Sequence, residues 1–267
     1  MIRDITIGQY YKADSVIHRL DPRVKLMGTL IFIISLFMGM NIWIYAVVTV
    51  ALAVVIKMSR IPLKFMVRGL KSIVILIIIS AVFNLFLTPG DVFIQIWKLT
   101  ITYQGLKMAI FMVVRLIYLI VGTSLMTLTT TPNNLTDGLE KGLGFLKVIK
   151  VPVHEIAMMM SIALRFIPIL IEETDKIMKA QMARGADFEN GSRIKRAKAM
   201  VPILVPLFVS AFRRANELAM AMEARCYHGS EGRTKMKPLK YEKRDRIAYI
   251  SMVLYLGVII IVKIIAA

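Results

Sequence analysis

The sequence predicts an all-α protein that crosses a membrane several times and carries long amphipathic helices outside it. Three observations predict this. The 267 residues are 57% hydrophobic with a mean hydropathy of +0.68, too apolar for an ordinary soluble domain. The chain nevertheless holds 35 Lys and Arg against 17 Asp and Glu, a net charge of +18. Those cations flank the apolar runs, where the positive-inside rule and anionic lipid account for them. Nucleic-acid binding, the other reading of so basic a chain, is therefore not needed.

The N-terminal stretch MIRDITIGQYYKADSVIHRLDPRVKL mixes charges throughout and lacks a short apolar run ending at a small-residue cleavage site, so no cleaved leader is expected. Leu26 to Ile56 has no charged residue. As one helix it would run about 46 Å, too long for a bilayer core of about 30 Å. Gly39 and Asn41 offer a turn near its middle, so a hairpin of two short spans is predicted. Arg3, Lys12, Arg19, Arg23 and Lys25 precede the hairpin and Lys57, Arg60, Lys64, Arg68 and Lys71 follow it, which places both flanks in the cytoplasm.

A third span, Ser72 to Leu87, leads out to a loop that begins TPGD and holds one basic residue, Lys98. Tyr103 to Thr130 returns inward as the fourth. Arg115 lies within it, where an isolated charge is costly and must face protein, water or the interface; pairing inside the bundle or snorkelling is the plainer reading, a transport role the sharper one. From Asp137 to Arg246 the chain is different: 21 basic and 13 acidic residues leave a net of +8. Ile247 to Val262, preceded by KRDR, is the last span. Five spans with the N-terminus inside result. The chain divides into a four-span membrane domain at 1–131, a cytoplasmic helical domain at 132–246 and a C-terminal transmembrane helix at 247–267.

Within the middle domain, Leu135, Leu139, Leu143 and Leu146 recur at helical spacing after Pro132. A long helix follows Pro152, with a kink expected at Pro168 and a stop at Gly185. The linker ADFENGSR carries the turn signal Asn190, Gly191, Ser192. A second long helix, softened by Pro202 and Pro206, ends near Arg225. The two helices finish alike: Ala180, Ala183, Arg184, Gly185 in the first and Ala221, Ala224, Arg225, Cys226 in the second. One arginine on a last turn is explained by the helix dipole, worth about 0.3–1 kcal/mol. Two with the same flanking alanines suggest a pair of forked donors aimed at grooves on partner proteins.

Taken in order, HRLDPRVKL, TPNNLTDGL, SIALRFIP, AQMARG and AMEARC resemble the transmembrane T component of energy-coupling factor (ECF) transporters, a family that includes cobalt-transport permeases. The resemblance covers essentially the whole chain. It implies that the cytoplasmic helices are coupling helices whose Ala-Arg-Gly-type ends dock into two ABC-type ATPase subunits. It implies too that the protein holds a separate small membrane subunit, the S component, which binds a vitamin or metal ion and topples as ATP is hydrolysed. On this chain the docking residues would be Ala183, Arg184 and Gly185, and Ala224, Arg225 and Cys226. Cys226 departs from the usual glycine, which puts an identical fit at both ATPases in doubt.

No GxxxxGK[ST] loop is present, so ATP and Mg are expected on the partner ATPases and no cofactor on this chain. His18, His154 and His228 are far apart in sequence, and HEIAM fails HExxH because its fifth residue is Met158. The 19 methionines read as core filling or as an adaptable surface for exchangeable subunits. Two other function classes compete. A lipid-substrate transferase would use membrane-face carboxylates such as Asp137, Glu140, Glu172, Glu173 and Asp175, but no DxxD-type pair is present and the last three read as a solvated helix face. A scaffold or insertase would use the basic surface.

Overall fold

The computed structural model describes residues 10–96, 99–186, 188, 192–229, 236 and 238–265. The chain forms two compact units, one from Gly8–Gly138 and Leu239–Ala267, the other from Leu139–Pro238.

In the first unit, α1 (Pro22–Phe37) starts where the Asp21 carboxylate accepts the Arg23 N–H and Pro22 fills the first turn, where no N–H is missed. It stops at Met38, and Asn41 caps α2 (Ile42–Ser59) by accepting from the Trp43 N–H. The predicted hairpin and its turn are thus present, with a side chain that explains why the break falls at Asn41. Arg60 closes α2 in the left-handed region at φ 56°.

α3 (Leu63–Leu87) begins nine residues before the predicted span and bends by 63° between Lys71 and Ile73. The basic segment read as a flank is its first arm. Between α3 and the next helix the sequence suggests only a loop. The structure has an antiparallel hairpin, β1 (Val92–Ile96) with β2 (Leu99–Thr102), pairing Gln95 with Thr100 and Ile96 with Leu99. The β-branched content of VFIQI and LTIT favours it. Asp91 ties the hairpin to the following helix: its N–H donates to Gln104 Oε1 and its carboxylate accepts from Gln104 Nε2, each at 2.8 Å.

α4 (Tyr103–Thr129) is the fourth predicted span to within a residue, capped by Thr102 Oγ accepting from the Gly105 N–H. Its inner half packs Val121, Leu125 and Leu128 against Leu52, Ile61 and Met66. Gly122 lets α1 approach: a Cβ there would run into the Phe32 ring. A second core joins Leu36, Ile44, Tyr45 and Val48 to Ile259 of α8 (Lys243–Ile265). Asp245, buried at the start of α8, accepts the Glu242 N–H at 2.8 Å and the Asp21 N–H at 2.9 Å. One carboxylate thus serves the beginnings of α1 and α8, whose bodies are joined by a Ser35–Tyr255 hydroxyl pair at 2.7 Å.

α5 (Pro132–Gly142) is the short amphipathic helix predicted after the threonine run and leads into the second unit. There a 3₁₀ segment (Gly144–Ile149) precedes α6 (Val153–Ala183) and α7 (Arg193–Ala224). α6 runs unbroken through Pro168. The turn signal at Asn190 and Gly191 lies outside the described residues, and Ser192 precedes α7.

Four described helices, α2, α4, α6 and α8, are long and apolar enough to cross a membrane, and bent α3 makes a fifth. The count agrees with the sequence; the membership does not. α1, at 16 residues, covers about 24 Å, less than a bilayer core. α6, read from sequence as cytoplasmic, has the length and apolarity of a span because its charged residues gather in its second half.

Candidate functional site

α6 and α7 are 31 and 32 residues long, about 46–48 Å each. They pack antiparallel, because their contacts run in opposite order along the two chains. Ile162, Phe166 and Leu170 of α6 line one groove with Ala215, Leu218 and Met222 of α7. Glu173 then pairs with Arg214 at 2.7 Å, and Gln181 Nε2 donates to the Pro202 carbonyl at 3.4 Å. That last contact has a covalent origin. Pro206 has no N–H, so the Pro202 carbonyl four residues earlier lacks its helical partner, and Gln181 supplies one from the neighbouring helix.

The two candidate tips fold identically. At the end of α6 the N–H groups of Arg184, Gly185 and Ala186 donate to the carbonyls of Gln181, Met182 and Gln181 at 3.1, 2.9 and 3.0 Å. At the end of α7 those of Arg225, Cys226 and Tyr227 donate to Met222, Glu223 and Met222 at 3.1, 2.8 and 3.0 Å. Each is a Schellman ending, the arginine at the cap and the next residue in the left-handed region: Gly185 at φ 88° and Cys226 at φ 55°.

The small residue that follows each arginine has a backbone reason. A narrow helix end is not what selects it; the backbone turn is, and a Cβ at Gly185 would meet nothing within 4 Å. Glycine adopts this conformation freely, whereas cysteine there carries a steric cost of roughly 1–2 kcal/mol.

Ala183, Arg184 and Gly185 are all exposed, as are Ala224, Arg225 and Cys226. Neither arginine side chain has a hydrogen-bond or ion-pair partner among the described residues. The antiparallel packing places the tips at opposite ends of the helix pair, so the structure assembles two separate cationic tips rather than one cluster. The arrangement offers two forked sets of N–H donors on rigid helix ends, suited to carboxylates and carbonyls of another surface.

Other candidates lie elsewhere. Glu173, read as part of a solvated face, is a partner of Arg214, a residue the sequence reading passed over. Glu140 binds His154 Nδ1 at 2.9 Å, joining α5 to α6. Among the described residues no three of His, Cys, Asp and Glu come together as a metal-ligand group. Arg115 is buried at 8% exposure and faces the bundle, its Nε donating to Tyr45 Oη at 3.0 Å.

Four described helices long and apolar enough to cross a membrane, a fifth where bent α3 is one span, and a helix pair ending in matched arginine caps define a polytopic membrane protein. Residues 13–236 match the family model described as cobalt transport protein. The chain is 57% identical to the energy-coupling factor transporter transmembrane protein EcfT of Clostridium kluyveri over 250 residues, 93% of each chain. It is 56% identical to the protein of the same name from Thermosediminibacter oceani, covering 94% of each. The Bacillus subtilis protein of that name is 47% identical over 95% of this chain and 96% of its own. The chain belongs to the cobalt transport protein family, as a transmembrane component of the energy-coupling factor type.

Proposed function

We propose that the chain is the coupling subunit of an ECF-type importer, taking no catalytic part itself and joining two ABC-type ATPase subunits to a separate substrate-binding membrane subunit for a vitamin or metal ion. ATP and Mg belong to the ATPase partners. The N-terminus and residues 132–246 face the cytoplasm in this reading.

One observation carries it: Arg184 and Arg225 sit in matching Schellman ends, exposed, without a side-chain partner among the described residues, and at opposite ends of one antiparallel helix pair. A dipole cap needs none of these properties together. Two nucleotide-binding partners need all three, because each takes one tip and movement of either is passed along a rigid helix braced at Glu173–Arg214 and Gln181–Pro202. The exposed Met159, Met160, Met182, Met200 and Met220 on these helices suit an adaptable surface toward a substrate-binding subunit.

The test is ATP-dependent substrate uptake and ATPase co-purification for the Arg184→Ala/Arg225→Ala double variant at matched membrane expression. Loss of both, with the chain still folded in the membrane, is expected. Parental uptake with ATPases retained overturns the proposal and leaves the tips as structural caps.

A further inference from the structure

We infer that Arg115 is a phospholipid site: its guanidinium clamps the phosphate of a lipid in the leaflet that meets the α1–α2 turn. The inference concerns the membrane unit alone and does not depend on the ATPase-coupling proposal.

The argument begins with charge. Residues 22–90 and 92–136 contain no Asp or Glu. The acids that flank Arg115 in sequence are Asp91 and Asp137: Asp91 is bonded to Gln104, eleven residues from Arg115 and so about 16 Å away along α4, and Asp137 lies beyond Thr129, the end of α4 and about 21 Å away in the other direction. An arginine side chain does not reach that far. Arg115 is 8% exposed, and its described partners are one neutral hydroxyl, Tyr45 Oη at 3.0 Å, and the Phe37 ring at 5.0 Å from Cζ. Only Nε is used; the two terminal nitrogens, with four N–H donors, have no partner among the described residues. A buried cation without a counter-charge among the described residues is unstable in hydrocarbon, and in this inference its anion comes from outside the chain.

Depth identifies that anion. Although Arg115 is near the middle of α4 in sequence, its contacts are with the last residue of α1 and the first turn of α2. It therefore lies level with the 38–41 turn. Trp43, one residue into α2, is 67% exposed, and an exposed tryptophan at a span end marks the headgroup region. With α1 short of a full bilayer core, the headgroups dip to this turn. Phosphate is the anion fixed at that level, and its oxygens match the fork of the two terminal nitrogens. Access runs past Phe37, whose ring is 60% exposed and can turn aside without opening a core.

The test uses the complete transporter complex in nanodiscs of phosphatidylethanolamine or of monoglycosyl diacylglycerol. Both lipids are net neutral; the first has a phosphate. The wild type is expected to unfold at a higher temperature in the phospholipid and to retain it, in native mass spectra from mixed discs, roughly tenfold over the glycolipid. Arg115→Gln should lose that preference and match the wild type in glycolipid, Arg115→Lys should keep part of it, and Tyr45→Phe should keep it in full. Equal behaviour of the wild type in the two lipids overturns the inference, and this comparison stands even if Arg115→Gln does not fold. So does a preference that survives Arg115→Gln, saturation of the site in glycolipid discs by inorganic phosphate, or loss of another membrane subunit from Arg115→Gln with its lipid retained.

Discussion

Glu173 and Arg214 form an ion pair at 2.7 Å that stands midway between the two arginine tips: Glu173 is eleven residues before Arg184 on α6, and Arg214 is eleven before Arg225 on α7. Because the helices are antiparallel, each tip extends about 16 Å from this point in opposite directions. A link at this midpoint stands at equal distance from both tips.

The exchange Glu173→Arg/Arg214→Glu keeps the pair and reverses it. Either single change instead sets two like charges against each other in a half-buried spot. Each single variant is expected to lower uptake while leaving the complex assembled, and the exchange to recover it. Uptake assays on the three variants at equal expression check this; single variants that transport like the parent show that coupling does not need the pair.

The helix ends give a second expectation. Cys226 at φ 55° bears a strain that glycine lacks, so Cys226→Gly should stabilise the end of α7 by about 1 kcal/mol, and Gly185→Ala should destabilise the end of α6 by about 1–2 kcal/mol. Amide exchange reports each locally: slower at Cys226 and Tyr227 in the first variant, faster at Gly185 and Ala186 in the second. No change at either pair would mean that these ends are held by something other than the left-handed turn.

Much of this was legible in the sequence, and the unread part has a common cause. The hairpin at 26–56 could be read because 31 uncharged residues exceed one bilayer crossing, and Asn41 turned out to be the cap that fixes the break. The twin tips were visible because two alanines, an arginine and a small residue recur at the same spacing at two helix ends. What stayed hidden depends on contacts between distant positions. Arg214 meets Glu173 across 41 residues and Gln181 meets Pro202 across 21; no local pattern announces either, although a proline inside a helix does announce that a carbonyl needs a partner. The β-hairpin at 92–102 was missed because two strands this short present too few residues for alternation to stand out. The first arm of α3 was missed because Lys64, Arg68 and Lys71 were given to the flank of a span that begins only after the bend.

His18 supplies a pH dependence outside the spans. Its Nε2 donates to the Tyr11 carbonyl at 3.0 Å and its Nδ1 accepts from the Ser15 hydroxyl at 2.7 Å, an arrangement of the neutral ring. Burial pushes its pKa below the ordinary 6.5, outweighing the Tyr11 bond. In the window between that lowered value and 6.5 the unfolded chain binds the proton more readily. The contribution to stability is therefore complete above pH 6.5 and is lost as pH falls through the window. Thermal unfolding from pH 5 to 7.5 should show this slope in the parent and a flatter one in His18→Gln; equal slopes would assign the dependence to another group.

The proposed coupling role makes a prediction that separates the two tips. With Arg184 and Arg225 at opposite ends of the α6–α7 pair, the proposed docking gives each its own ATPase, and each single alanine variant should loosen one nucleotide-binding subunit more than the other. Removing one member of a buried, hydrogen-bonded charge pair costs about 2–5 kcal/mol, whereas loss of a dipole contact costs about 0.3–1 kcal/mol. The first range changes occupancy at least roughly tenfold, which quantitative co-purification resolves, and the second does not. Lysine at either position keeps the charge and the dipole term but loses the planar fork. Arg184→Lys and Arg225→Lys should therefore resemble their alanine counterparts in retention of an ATPase, while matching the parent in stability of the helix end. If both lysine variants retain both ATPases at parental levels, the tips act as point charges and the fork plays no part. If either alanine variant loses the two ATPases equally, the assignment of one partner to each tip fails.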